Sequence, residues 1–361
     1  MILTINSKII MPKPNTWADG AIQPPEPTPD PYNPLNLPAN TVRVRTSDGN
    51  APTSSGYTPY YESATLVSGT SDVYDVYKSG VNFNYMLAGC ANIVEVLGAN
   101  TTGVTSMKYM FIECTYLTTV QLFDTSSVTD MTGMFSSCYT LTSVPLFDTS
   151  KVTTMRDMFR SCSTNLTTVP LFNTSNVTDM LGMFQGCLSL TSVPLFDTSK
   201  VTFMDAMFLQ CRSLTAIPLF DTSNVINMED MFRYCSALTT VPLLNTSNVT
   251  SMSHMFSQCS SLTSVPLFNT SSVTNMYSMF YGCGALTAIP LFDTSKVTEM
   301  SEQFKNCRGV QSGALALYQQ ASSQANPPTW HSDTFLRCGS NTTTGAAELA
   351  QIPTSWGGTL S

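Results

Sequence analysis

The sequence predicts an α/β repeat solenoid in place of a set of ordinary domains, on three observations. Ten cysteines (Cys90, Cys114, Cys138, Cys162, Cys187, Cys211, Cys235, Cys259, Cys283 and Cys307) recur every 24 residues, with one interval of 25. The residues between them recur as well, residues 190–213 reading LTSVPLFDTSKVTFMDAMFLQCRS. A unit of this size cannot bury its own apolar side chains, so each must stack on the units above and below.

Within a unit, Leu190, Val193 and Leu195 have the spacing of the short parallel strand of a leucine-rich repeat. Met204, Met207, Phe208 and Cys211 fall on one face of a short helical turn. Each coil is therefore expected to run strand, turn, helix, with those residues and Val201 as core. Prolines at 145, 170, 194, 218, 242, 266 and 290 cannot donate to a ladder and restrict the strand to the residues before them. The Asp-Thr-Ser or Asn-Thr-Ser that follows is a corner, because an Asx side chain accepts a hydrogen bond from a nearby amide.

Four regions follow from this reading. Residues 1–39 carry nine prolines from Pro12 to Pro38 and are expected to form an N-terminal attachment segment with an extended linker. Residues 40–92 are expected as a β-rich N-terminal cap, since Thr41 to Thr46 alternate like a strand and Asp48-Gly49 is a turn dipeptide. Residues 93–309 make the solenoid of nine repeats. Residues 310–361 make a helical C-terminal cap, with a helix from Ala314 to Ala325 and with Trp330, Phe335, Leu349, Ile352 and Trp356 over the open end.

Charged residues are only 11% of the 361, and the net charge is -8, which argues against nucleic acid, where clustered Lys and Arg are needed. No segment is apolar enough to span a bilayer, and Met1 to Ile10 lack the pattern of a secretory signal. Neither of the two histidines, His254 and His331, has a partner at catalytic or metal-ligand spacing, so no catalytic residue, metal site or cofactor is expected and both are read as solvated. The cysteine column is read as buried structural thiols in preference to disulfides or metal ligands.

Two surfaces are candidates for recognition. Variation between coils concentrates on the expected helical side, at Arg156, Asp157, Arg160, Phe203, Asp205, Leu209, Glu229, Arg233, Tyr234, His254, Tyr277 and Tyr281. Exposed Tyr, Phe and Arg are the usual anchors of a binding surface. The strand side is instead monotonous, a hydroxyl ladder of Thr142, Thr167, Thr191, Thr215, Thr239, Thr263 and Thr287 that would suit a repetitive ligand such as a glycan or ice. Free drift of solvated positions and a merely soluble surface are the plain alternatives.

Residues 220–239, FDTSNVINMEDMFRYCSALT, resemble the unit of the BspA-type leucine-rich repeat, and the resemblance extends over 93–309. That family occurs in bacterial surface proteins and in proteins encoded by bacteriophages, and it implies adhesion without catalysis. The flanks at 31–38, 313–318 and 347–358 are similar to phage-encoded members. Signal peptide, lipobox and wall-sorting tail, expected of a cell-surface member, are not seen. The resemblance therefore implies a virion-surface protein, as tail fibre, receptor-binding protein or capsid decoration. Its partners would be a host-surface glycan or protein and, through residues 1–39, other virion proteins. A bacterial cell-surface adhesin is the alternative, and a homo-oligomer remains open.

Overall fold

The computed structural model describes residues 33, 35–54 and 60–359. The expected attachment segment and most of the linker lie outside the described residues. Three cap strands, β1 (Thr41–Thr46), β2 (Ser63–Leu66) and β3 (Val73–Tyr77), precede the first solenoid strands, β4 (Ile93–Asn100) and β5 (Thr119–Val120). They form one five-stranded sheet in the order β2-β3-β1-β4-β5. The cap pairs are antiparallel, β1 also pairs antiparallel with β4, and β4 to β5 is parallel. The cap sheet thus hands its pairing directly to the stack, and Val42, Val44 and Val76 continue the solenoid core.

Behind this sheet lies a stack of coils held by a different backbone. Where the sequence predicts short helical turns at Met-x-x-Met-Phe-x-x-Cys, the octet contains no helix. Its third and seventh residues have positive φ in every coil, as at Asp157 (54°) and Ser161 (60°). This reversal turns alternate amides outward. In one octet the amides of Met155, Asp157, Phe159 and Ser161 donate to the carbonyls of Asp179, Leu181, Met183 and Gln185 in the next coil. The intervening amides of Met158, Arg160 and Cys162 close turns onto Met155, Asp157 and Phe159. Every amide from Met155 to Cys162 but one is accounted for within or between coils, and Arg156, the exception, donates to Thr154 Oγ1 at 3.3 Å.

The octet also extends beyond the window that the repeat count predicts. Equivalent turns occur at residues 83–90 and 331–338, with positive φ at Tyr85 and Gly89 and at Asp333 and Arg337. A column of ten parallel bridges runs from Asn82 through Thr154 and Asp179 to Trp330, one residue ahead of each octet.

The strand side differs from expectation in one further way. Among the described residues, extended pairing stops at β5, and later coils keep chiefly the bond from one Thr amide to the preceding coil, such as Thr142 N to Thr118 O at 3.0 Å. After it the chain makes a three-residue turn, Phe147 N donating to Pro145 O at 3.0 Å, and this repeats in each Pro-Leu-Phe or Pro-Leu-Leu. Leucine at the apex is pushed outward. Leu195, expected in the core, is 60% exposed, and Phe196 is buried in its place.

The core is consequently a pair of phenylalanine columns flanked by Met, Val, Leu and Cys. Rings of the octet column stack nearly parallel, Phe135 to Phe159 at 5.8 Å and Phe208 to Phe232 at 5.7 Å. The second column packs beside it, Phe184 to Phe196 at 6.3 Å. Each cysteine from Cys114 to Cys307 is buried, and its Sγ donates to a carbonyl of the coil before it, Cys211 to Phe184 O at 3.1 Å. At the corner a buried Thr does the same in the other direction, Thr149 Oγ1 donating to Asn173 O at 2.8 Å.

The C-terminal cap is α1 (Ala314–Ser322), α2 (Thr343–Leu349) and a 3-10 turn (Thr354–Trp356). Phe335 stacks on Phe304 at 5.9 Å, and Leu349, Ile352 and Trp356 are buried. Trp330 does not cover the core as expected: it occupies the bridge column and is 59% exposed. No helix among the described residues is long and apolar enough to cross a membrane.

Candidate recognition surface on the turn face

All twelve variable residues that the sequence singles out lie on the turn face, but at five distinct places in the coil. Phe203 stands just before its octet. At this place most other coils have a residue that caps the turn: Thr154 Oγ1, Asp179 Oδ1, Asn227 Oδ1 and Asn275 Oδ1 each accept the amide two residues on. Phe203 has no acceptor to offer and is instead 43% exposed. That departure was legible in the sequence, since Asn82, Ser106, Asp130, Thr154, Asp179, Asn227, Ser251, Asn275 and Glu299 fill the same column.

Arg156, Asp205, Glu229 and Tyr277 take the second place, Asp157 and His254 the third, Arg160, Leu209, Arg233 and Tyr281 the sixth, and Tyr234 the seventh. The third place leans over the following coil. A Cβ on Gly182 would collide with the Asp157 carboxylate, and one on Gly133 with the Tyr109 ring. Glycine at 133 and 182 therefore leaves room for the tyrosine ring and the carboxylate.

Two depressions result. The first, of about 200 Å³, is lined by Arg233, Tyr234, His254, Ser257, Gln258, Tyr277, Ser278, Tyr281 and Glu302. Here the Arg233 guanidinium lies 5.2 Å from the Tyr234 ring centroid and pairs with Asp230 at 3.2 Å. His254 meets Tyr277 edge-on at 4.9 Å. His254 is half-buried, not solvated as expected, and burial followed by the Arg233 charge pushes its pKa down, favouring the neutral ring. Its Nδ1 and Arg233 Nε have no hydrogen-bond partner in the protein.

The second depression, of about 440 Å³, is lined by Tyr85, Tyr109, Ile112, Ser136, Ser137, Asp157, Arg160 and Ser161. The Tyr85 and Tyr109 rings meet at a tilt of 35°, their centroids 5.0 Å apart. Asp157 is buried, contrary to its reading as a surface residue, and approaches Arg156 and Arg160 at 4.0 and 3.7 Å. Burial raises its pKa against the pull of the two arginines. Sequence reasoning missed Tyr85, Tyr109, Gln258 and Glu302, which join the others only because the third, sixth and seventh places of successive octets are neighbours.

Between the depressions run Phe203, Asp205, Leu209 and Glu229. Burial, then the Glu229 charge, pushes Asp205 up to about 6, and burial raises Glu229 too. Among the described residues no group of His, Cys, Asp and Glu could hold a metal ion.

The hydroxyl ladder is exposed at all seven positions on the opposite side. Its protons are largely engaged: Thr142, Thr191, Thr263 and Thr287 donate Oγ1 to the preceding coil at 2.8 to 3.2 Å. To a ligand these four hydroxyls offer acceptors only.

A family model described as "Mycoplasma protein of unknown function, DUF285" matches residues 81–164, 140–240 and 214–316. Among solved structures, the chain is similar to a leucine-rich repeat protein from Eubacterium ventriosum, with 18% identity, 67% of each chain covered and a TM-score of 0.39. A leucine rich cell surface protein from Faecalibacterium prausnitzii is 18% identical over 67% of this chain and 79% of that one, with a TM-score of 0.33. A leucine-rich repeat protein from Bacteroides ovatus is 19% identical over 76% and 83%, with a TM-score of 0.30. No curated protein matches the chain in sequence.

Proposed function

Because the chain belongs to the DUF285 family, whose repeats make up the coils described above, we propose that it is a non-enzymatic recognition protein whose solenoid reads a host-surface glycan or protein with its turn face. The observation that carries this reading is the clustering of Arg233, Tyr234, His254, Tyr277 and Tyr281 around one depression of the turn face. Tyrosine rings give stacking surface, and a guanidinium beside a neutral imidazole gives polar contacts, a combination suited to a sugar or a peptide carrying a carboxylate.

The location we propose is the bacteriophage virion surface, which the phage-like flanks of the sequence support. A bacterial cell-surface adhesin is the second reading, supported by the BspA-type resemblance of the repeat itself. Immunogold labelling of virions, set beside fractionation of uninfected cells, separates them. For the recognition reading, the purified full-length chain is titrated onto host cells. Tyr277→Ala and Arg233→Ala should each weaken binding at least tenfold with circular dichroism unchanged, while Thr191→Val leaves binding intact. Loss through Thr191 with Tyr277 indifferent would move the ligand to the hydroxyl ladder.

A further inference from the structure

The outward leucines of the strand side have no role in the turn face. Leu146, Leu171, Leu195, Leu219, Leu243, Leu267 and Leu291 are 53 to 61% exposed, one per coil at the same place. Neighbouring coils carry ring centroids 5 to 6 Å apart in the core, and the leucines recur once per coil at the same place, so they line up as one stripe along the stack. An exposed leucine at this level presents roughly 100 Å² of apolar surface, so the stripe amounts to about 700 Å². Monomeric proteins rarely leave so large a contiguous apolar patch in water.

We propose that this stripe is a homotypic interface, where a second copy of the chain packs its own leucines against the first. Area is one reason. A standard interface buries about 800 Å² per partner, close to what the leucines and the prolines beside them supply. Charge is another. The seven segments 141–147, 166–172, 190–196, 214–220, 238–244, 262–268 and 286–292 contain no Asp, Glu, Lys or Arg, so identical faces meet without like charges opposed. Spacing is the third. Rungs repeating at the coil separation are matched in register by rungs of the same separation, which a second solenoid has. The exposed Thr hydroxyls and the Asx corners on either side form the polar rim such an apolar centre requires.

Leu219 is the fourth of the seven rungs, so a two-fold axis through or along the stripe brings it to its own mate. All eleven native cysteines are buried, which leaves an introduced thiol there as the reactive one. The full-length chain should run at twice its 39.2 kDa in light scattering at micromolar concentration, and Leu195→Asp, Leu219→Asp and Leu243→Asp combined should halve that mass. These side chains already face water, so the circular dichroism of the triple variant should match wild type. Leu219→Cys should form a disulfide-linked dimer under mild oxidation, and Tyr277→Ala should leave the mass doubled. A monomeric wild type at 100 µM, or a triple variant of undiminished mass, would overturn the interface whatever else covers the stripe.

Discussion

Asp205 stands two places after Phe203, which caps nothing, and its own backbone amide draws its carboxylate's pKa down. Burial and the neighbouring Glu229 nevertheless hold the group at about 6, above the roughly 3.9 of an unfolded aspartate. The folded chain then binds the extra proton between those values. Stability from this residue rises as pH falls from about 6 towards 4, and above 6 the charged form is a cost. Asp205→Asn should therefore stabilise the protein at pH 7.5, by about 1 kcal/mol once its partial exposure is allowed for, with the gain gone at pH 4. Urea melts at pH 7.5, 5.5 and 4 measure this, and an equal gain at all three would count against the assignment. The cysteines offer a second reading at this scale. Burial pushes Cys90, Cys187 and Cys259 up to about 12, so a thiol reagent at pH 8 should label none of the column until denaturant unfolds the chain.

At the scale of the element, the octet shows how apolar spacing alone misleads. Met-x-x-Met-Phe-x-x-Cys places its core residues three and four apart, which a helix satisfies and which successive turns of opposite backbone hand satisfy equally. The distinguishing signal lay in the intervening positions. Glycine enters the third or seventh place in four coils, as Gly89, Gly133, Gly182 with Gly186, and Gly282, and only there is φ positive in the octet. By contrast the strand at Thr41–Thr46 and the start of α1 at Ala314 were legible, because strict alternation fits a strand and a run rich in Ala, Leu and Gln favours a helix by propensity as well as by spacing. The outward leucine was not legible, since nothing in Pro-Leu-Phe distinguishes which apolar residue turns in. Non-glycine residues in the left-handed region cost about 1 kcal/mol each. Gln210→Gly, at φ 63°, should raise stability by about 0.5 kcal/mol net of the freedom glycine gains on unfolding. Gly133→Ala should lower it by about 1–2 kcal/mol, because its Cβ displaces the Tyr109 ring. Thermal denaturation of the pair tests the sign in each direction.

Across the whole molecule the stack is one-dimensional, each coil touching the coil before and the coil after, with caps at both ends. Cap and stack share a sheet at one end through β1 and β4, and Phe335 ends the aromatic column at the other. Coil-to-coil contacts are nearly identical in the middle, so what the fold requires is the register and not any particular coil. Excision of residues 188–211 removes 24 residues and joins Cys187 to Arg212, bringing Phe184 into the place beside Phe232 that Phe208 held. The shortened chain should fold with the same circular dichroism signature and a modest loss in Tm. It should also keep ligand binding at the depression around His254, which lies wholly outside the excised coil. Excision of 22 residues from the same place puts Met and Phe of one coil against solvent-facing positions of the next. That variant should aggregate on expression. If the two deletions behave alike, the stack is held by its ends, and the ladders of Phe, Cys and Thr that pass from coil to coil contribute little to the native state.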